Sequence, residues 1–134
     1  MSPATDLPPP ALRPQKLAPL VVVVDDDEAV LHSLRFALET EGFRVLVFAS
    51  AEELIRAGTP PDAACLIVDQ NLPGRTGIEL IHDIHGRLPA LPAILLTSRP
   101  AADFEVQAAG WFAAIVEKPL FGDALSQAIG RALG

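Results

Sequence analysis

The chain has 134 residues and a mass of 14.2 kDa, which suits one domain with a good core and is too short for two. Its net charge of -7 argues against nonspecific nucleic-acid binding, and no apolar run approaches the roughly 20 residues that a membrane helix needs. The single cysteine, Cys65, excludes an internal disulfide and a zinc site built on cysteines, and its apolar neighbours predict a buried, inert thiol. We therefore expect a soluble, cytoplasmic protein that contacts neither membrane nor nucleic acid directly.

Residues 1–19 differ in composition from the rest of the chain. They hold six of the 13 prolines, including the run Pro8-Pro9-Pro10, which predicts an extended or disordered arm. Residues 20–134 alternate short apolar runs with amphipathic stretches, which predicts one domain of alternating strands and helices. The predicted strands are Val21–Val24, Phe43–Phe48, Ala63–Val68, Pro92–Leu96 and Ala113–Val116. The predicted helices are Asp27–Glu41, the stretch from the Ser50 cap to Gly58, Ile78–Arg87, Asp103–Ala109 and Phe121–Leu133.

Polar residues fall at or just beyond the carboxyl ends of four predicted strands. They are Asp25, Asp26, Asp69, Thr97 and Lys118. Strand–helix alternations with short loops imply a parallel sheet with helices on both faces. Because the carboxyl ends of parallel strands share one edge, we expect these five residues to converge on a single crevice.

The stretch VVVVDDD, Val21 to Asp27, is the strongest local indication of function. Four valines predict a strand buried on both faces, and the acids follow it at once. Two like charges about 4 Å apart repel by roughly 4 kcal/mol at an effective dielectric of about 20, so a cation such as Mg²⁺ is expected beside them. With a hydroxyl and an ammonium nearby, the crevice suits a metal and a transferable anion, and a carboxylate can itself attack phosphorus.

Four blocks of the sequence resemble the response regulator receiver domain: VVVVDDDEAV, LIVDQNLPGRTG, ILLTS and VEKP. They occur in the family's order with nearly the family's spacing, and the resemblance spans Leu20 to Leu133. It implies an α/β, flavodoxin-like fold, a doubly wound five-stranded parallel sheet of order 2-1-3-4-5. It also implies a domain that takes a phosphoryl group from a sensor histidine kinase or phosphotransfer protein. Such a domain is not a conventional enzyme, but it catalyses its own Mg²⁺-dependent phosphorylation and dephosphorylation and signals through a conformational change.

The resemblance implies a role for each residue of the crevice. Asp69 matches the phosphoaccepting aspartate. Asp26 matches a direct Mg²⁺ ligand and Asp25 one that acts largely through water, while Asp69 and the backbone carbonyl of Asn71 complete the metal site. Lys118 matches the lysine that pairs with the phosphoryl group.

The switch is the place where the chain departs from the family's pattern. Thr97 matches the switch hydroxyl, but Ile115 stands where the family usually has Tyr or Phe. The stretch from Thr97 to Gly110 is also two residues short, so we expect a trimmed fourth helix. This departure motivates an alternative, a phosphorylation-independent interaction module with an atypical switch. A homodimer through the fourth helix, fifth strand and fifth helix is a further expectation.

Several single residues have simpler roles. Asp27 is expected to begin the first helix, and Thr97 taken alone would suit a helix cap. Core positions are expected for four aromatic residues: Phe36, Phe43, Phe48 and Phe112. For Trp111, the sequence does not decide between core packing, contact with a partner and substitution for the missing switch aromatic. The residues that flank the site and are expected to tune the phosphoryl lifetime are Gln70, Asn71 and Arg99.

Two other functions are disfavoured, a phosphohydrolase and a flavin-binding flavodoxin. A Mg²⁺-dependent phosphohydrolase would need an acid where Asn71 stands, and a flavodoxin would not place acids in the loop that cradles an anionic phosphate. Whether the chain is a stand-alone regulator or part of a longer protein stays open.

Overall fold

The valine run lies in strand β1, Leu20–Val24, in which every residue is buried. Successive side chains of a strand point to opposite faces, so Val22 and Val24 enter one core and Val21 and Val23 enter the other. The structure is a computed structural model that describes residues 18–99, 114–118 and 123–134. In these residues, the two cores lie on opposite sides of a single large sheet.

Five parallel strands form this sheet, in the order β2-β1-β3-β4-β5. The strands after β1 are β2 (Arg44–Phe48), β3 (Ala63–Asp69), β4 (Ala93–Thr97) and β5 (Ala114–Glu117). In register, Val24 pairs with Val68, and Thr97 pairs with Glu117. The predicted fold class and strand order 2-1-3-4-5 are confirmed.

Helices cover both faces of the sheet within the described residues. They are α1 (Glu28–Thr40), α2 (Ala51–Ala57), α3 (Gly77–His85) and the C-terminal helix (Ala124–Leu133). Helix α1 and the C-terminal helix share one core, and α2 and α3 share the other. The Asp27 carboxylate accepts from the backbone N–H groups of Ala29 at 2.9 Å and Val30 at 3.3 Å. Asp27 is therefore the N-cap of α1, as expected.

The segment between β3 and α3 contains a short hairpin. Asn71–Leu72 pairs with Arg75–Thr76 as a two-stranded antiparallel hairpin. Gly74 has a φ of 79°, which glycine adopts without strain. Thr76 and Glu79 then form a capping box at the start of α3. The hairpin therefore leads directly into a well-capped helix.

The prediction that Phe36 belongs to the core is wrong, because 70% of this residue is exposed. The buried residues of α1 are Leu31, Leu34 and Leu38, spaced by three and four positions. Phe36 lies two positions from both Leu34 and Leu38, which places it on the opposite side of a helix with 3.6 residues per turn. Phe43 and Phe48 are partly buried against the cores, as expected.

Some predictions fall on residues outside the described ranges: residues 1–17 of the arm, the helix Asp103–Ala109, Trp111 and Phe112. At the predicted end of the arm, the Ala18 carbonyl accepts from Arg44 Nε at 2.9 Å. Cys65 is buried, and burial raises the pKa of its thiol to about 12, so the prediction of an inert thiol holds. Among the described residues, no helix combines the length and apolar character needed to span a bilayer.

The different burial of two residues on α1 gives a test of the packing. Leu38 is 1% exposed, so Leu38→Ala should lower the free energy of unfolding by about 2–5 kcal/mol. Phe36→Ala should change it by less than about 0.5 kcal/mol, because the ring lies in solvent. Urea denaturation of both variants measures the contrast, and a large loss in Phe36→Ala would show that the ring is buried.

Candidate functional site

Asp25 is held in one orientation just beyond β1. Its backbone N–H donates to the Phe48 carbonyl at 3.1 Å, and its Oδ1 accepts from the Asp27 N–H at 2.9 Å. The side chain is fully buried. Since an ionised carboxylate loses several kcal/mol of solvation on burial, Asp25 requires a counter-charge nearby.

Lys118 supplies that charge. Its Nζ lies 2.9 Å from Asp25 Oδ2 and 3.3 Å from Asp69 Oδ1. Its backbone N–H donates to the Thr97 carbonyl at 2.6 Å, which fixes Lys118 just beyond the paired ends of β4 and β5. One ammonium group therefore joins the carboxylates that follow β1 and end β3.

The pKa values follow from this arrangement. Burial and the neighbouring charge of Asp25 raise the pKa of Asp69 above its usual 3.8, although Lys118 and the backbone N–H of Asn71 act in the opposite direction. Burial acts to lower the pKa of Lys118, but its hydrogen bonds and charge interactions with Asp25 and Asp69 outweigh this and raise it above 10.5. Lys118 therefore stays protonated at neutral pH.

Asp26 completes a cluster of three carboxylates with Asp25 and Asp69. One oxygen of each lies within 4.8 Å of the others, and Asp26 is exposed where the other two are buried. Three carboxylates and one ammonium leave two negative charges in excess among these four residues. Mg²⁺ prefers oxygen ligands at about 2.1 Å and keeps several waters, so an acidic cluster open to solvent on one side fits this ion.

The two predicted switch residues lie on neighbouring strands. Thr97 is buried, and its Oγ1 accepts from the Arg99 N–H at 3.0 Å. Ile115 pairs with Leu95, two residues further from the crevice, and is partly buried in the core under α2 and α3. Thr97 therefore belongs to the crevice and Ile115 lies beneath it, while their roles in signalling stay predictions.

The loop after β3 contributes one predicted residue and one that the sequence analysis missed. Asn71 is exposed, and its backbone N–H is hydrogen-bonded to the Asp69 carboxylate. A Cβ on Gly77 would lie 2.6 Å from the Asp69 carbonyl oxygen, closer than real Cβ atoms come. Gly77 has no positive φ, so this close approach is what requires glycine. The only sequence signal was a glycine between a helix cap and an apolar helix start.

A family model described as the response regulator receiver domain matches residues 21–130. The chain belongs to the response regulator receiver domain family. The matched range of this receiver domain contains every crevice residue described above, from Asp25 to Lys118.

Similar proteins agree with this assignment. The transcriptional regulatory protein FixJ of Azorhizobium caulinodans is 36% identical over 115 residues, which cover 85% of this chain and 54% of FixJ. The C4-dicarboxylate transport transcriptional regulatory protein DctD of Rhizobium meliloti is 35% identical over 116 residues, which cover 86% of this chain and 25% of DctD. The receiver domain thus spans about half the length of FixJ and a quarter of DctD.

Solved structures give the same result. A response regulator receiver domain protein (CheY-like) from Methanospirillum hungatei superposes with a TM-score of 0.79 at 27% identity, covering 87% of this chain and 94% of that one. These similarities support a receiver domain of two-component signalling. They do not favour the phosphorylation-independent alternative.

Gly77→Ala should destabilise the receiver domain by about 1–3 kcal/mol, because the added methyl group would overlap the Asp69 carbonyl. Denaturant unfolding measures the loss. Gly130→Ala is the matched control, since a Cβ there meets nothing within 4 Å and alanine favours a helix by up to about 1 kcal/mol. Equal stability of Gly77→Ala and the parent would contradict the close approach.

Asp69→Asn should stabilise the metal-free domain at neutral pH. The raised pKa of Asp69 means that folding disfavours its charged form, and an amide carries no charge. The advantage should shrink as the pH falls from the raised pKa through 3.8, because the parent carboxyl then takes up a proton. Urea unfolding with a chelator at several pH values measures the difference, and an advantage that does not vary with pH would oppose this account.

Proposed function

We propose that this receiver domain takes a phosphoryl group onto Asp69 from a sensor histidine kinase or phosphotransfer protein and signals through a conformational change. One observation carries the proposal. The Asp69 carboxylate is almost fully buried, lies 3.3 Å from the Lys118 ammonium, and shares a cluster with two further carboxylates. A turn residue or surface ion pair would require neither the burial nor the two extra acids.

In the proposed reaction, an Asp69 carboxylate oxygen attacks the phosphorus of a phosphohistidine. An oxygen–phosphorus bond forms and the phosphorus–nitrogen bond breaks; the imidazole nitrogen keeps the electron pair, takes up a proton from water, and the neutral imidazole leaves. Negative charge spread over the phosphoryl oxygens then needs fixed donors. Lys118 lies close enough to Asp69 to provide one. Thr97 would provide another, since a hydroxyl whose oxygen accepts from the Arg99 N–H can donate its own hydrogen at the same time.

We infer that the reaction requires Mg²⁺. Asp26 and Asp69 would bind the ion directly, Asp25 would act largely through water, and the Asn71 backbone carbonyl would complete the protein ligands. Bound there, the ion neutralises charge that the carboxylates and the incoming group share. The excess of two negative charges in the cluster with Lys118 supports this part of the proposal.

FixJ and DctD are named as transcriptional regulatory proteins. If this domain serves a similar protein, we infer that DNA contact would come from other segments, since a net charge of -7 disfavours it here. We also propose a cytoplasmic location and a homodimer that forms through the segment 103–109, β5 and the C-terminal helix.

The phosphoacceptor is tested with acetyl phosphate and Mg²⁺ on a gel that retards phosphoproteins. The parent should give a retarded, acid-labile band, and Asp69→Asn should give none. Asp123→Asn is the matched control, because Asp123 is exposed and makes no side-chain cap bond. A retarded band in Asp69→Asn would rule out Asp69 as the acceptor.

The metal requirement is tested in the same assay with a Mg²⁺ titration. Asp26→Asn should raise the Mg²⁺ concentration for half-maximal rate about tenfold or more, because it removes a direct ligand. Asp27→Asn should leave it nearly unchanged, since asparagine caps a helix about as well as aspartate. Equal effects of the two substitutions would mean that only the general negative charge matters.

A further inference from the structure

Gln70, the residue after Asp69, is hydrogen-bonded to two elements at once. Its backbone N–H donates to the Leu96 carbonyl of β4 at 2.8 Å, and its backbone carbonyl accepts from the Gly77 N–H at 3.0 Å. Its side-chain Oε1 accepts from the Ile78 N–H at 3.1 Å. Gln70 therefore ties the end of β3 both to β4 and to the first turn of α3.

Helix α3 depends on Gln70 for half of its N-terminal hydrogen bonds. The first N–H groups of a helix have no acceptor within the helix itself. The Thr76 hydroxyl accepts from only one of them, that of Glu79 at 3.1 Å. The Glu79 side chain accepts from another, that of Thr76 at 2.8 Å. Gln70 accepts from the remaining two, with its backbone carbonyl and its side chain. A residue outside the helix thus acts as a second cap.

This second cap closes the base of the phosphoacceptor loop, residues 69–77. At one end, Gly77 approaches the Asp69 carbonyl so closely that even a Cβ would not fit. Asn71 follows Gln70 and pairs with Thr76 across the hairpin. Asp69 and Asn71 are therefore the two neighbours of a residue fixed by three hydrogen bonds, so a shift of Gln70 would move both.

We propose that Gln70 is a positioning residue, whose side-chain carbonyl accepts from the Ile78 N–H and so holds Asp69 and Asn71 at the spacing that Mg²⁺ binding and phosphorylation require. This inference rests on the proposed function of Asp69. It is distinct from the expectation that Gln70 tunes the phosphoryl lifetime. The side chain acts through α3 and needs to touch neither the ion nor the phosphoryl group.

Three variants separate positioning from simple stabilisation. Gln70→Leu keeps a similar size but removes the acceptor, whereas Gln70→Glu keeps an acceptor oxygen. Thr76→Ala is the matched control, because it removes the other cap of α3 and leaves Gln70 in place. Hydrogen exchange of the Ile78 amide in Mg²⁺-free protein should be slow in the parent and in Gln70→Glu, and fast in Gln70→Leu.

Calorimetric Mg²⁺ binding and the acetyl phosphate reaction supply the functional readouts. Gln70→Leu should weaken Mg²⁺ binding and slow phosphorylation about tenfold or more, the size of effect that groups supporting metal ligands have. Thr76→Ala should stay within about twofold of the parent on the same scale. Gln70→Glu should bind Mg²⁺ at least as tightly as the parent, because the link to Ile78 is kept and a negative charge is added.

The inference is overturned if Gln70→Leu and Thr76→Ala weaken Mg²⁺ binding equally, or if Gln70→Glu binds as weakly as Gln70→Leu. Should Gln70→Leu not fold, the exchange rate of the Ile78 amide decides: fast exchange in the parent overturns the inference, and slow exchange in both the parent and Gln70→Glu supports it.

The proposed role of Asp69 can fail separately. A parent that binds Mg²⁺ but is not phosphorylated would overturn the role of Asp69, and the binding and exchange results would still decide that of Gln70. A parent that does not bind Mg²⁺ overturns both.

Discussion

The site depends on the sharing of one ammonium group by two buried carboxylates. Asp25 and Asp69 are nearly inaccessible to water; Asp25 follows β1 and Asp69 ends β3. Without Lys118 at 2.9 and 3.3 Å, their mutual repulsion would add to the loss of solvation of each. Together with Asp26, these groups carry two negative charges in excess, so the protein's own cation neutralises the cluster only in part. We propose that this excess favours a bound cation beside Asp69, the proposed phosphoacceptor.

The fold supplies the precision that this charge arrangement needs. Lys118 and Asp25 are 93 positions apart in sequence, yet their side chains form a direct hydrogen bond. They meet because β1, β3, β4 and β5 are parallel and adjacent, so their carboxyl ends lie along one edge. The strands can be adjacent because valine, isoleucine and leucine fill both cores along β1, β3 and β4. The apolar runs are thus the reason that the polar residues at their ends converge.

The sequence predicted the features that follow from hydrophobic periodicity and from the position of a residue at the end of a strand. It missed the features that depend on contacts between residues distant in the sequence. Asp25, Asp69 and Lys118 were found because each follows an apolar strand. Phe36 was misplaced because its apolar character outweighed a helical position opposite Leu34 and Leu38. The structural roles of Gly77 and Gln70 were missed, because the spacing of residues in NLPGRTG does not reveal that the first turn of α3 lies against the Asp69 carbonyl and the Gln70 side chain. Turn chemistry indicates where a chain reverses, but not which backbone groups then meet.

The hydrogen bonds of Thr97 and Lys118 bear on how a signal could leave the crevice when Ile115 stands where the family usually has an aromatic residue. The Thr97 hydroxyl uses its oxygen to accept from Arg99, so donating its hydrogen to a phosphoryl oxygen would not break that bond. Lys118 is likewise held by Asp25, so a change at Asp69 alters one of its two partners and leaves the other. The Lys118 N–H also donates to the Thr97 carbonyl, next to the paired ends of β4 and β5. We propose that this backbone link carries the response to phosphorylation, since it does not depend on the residue at position 115.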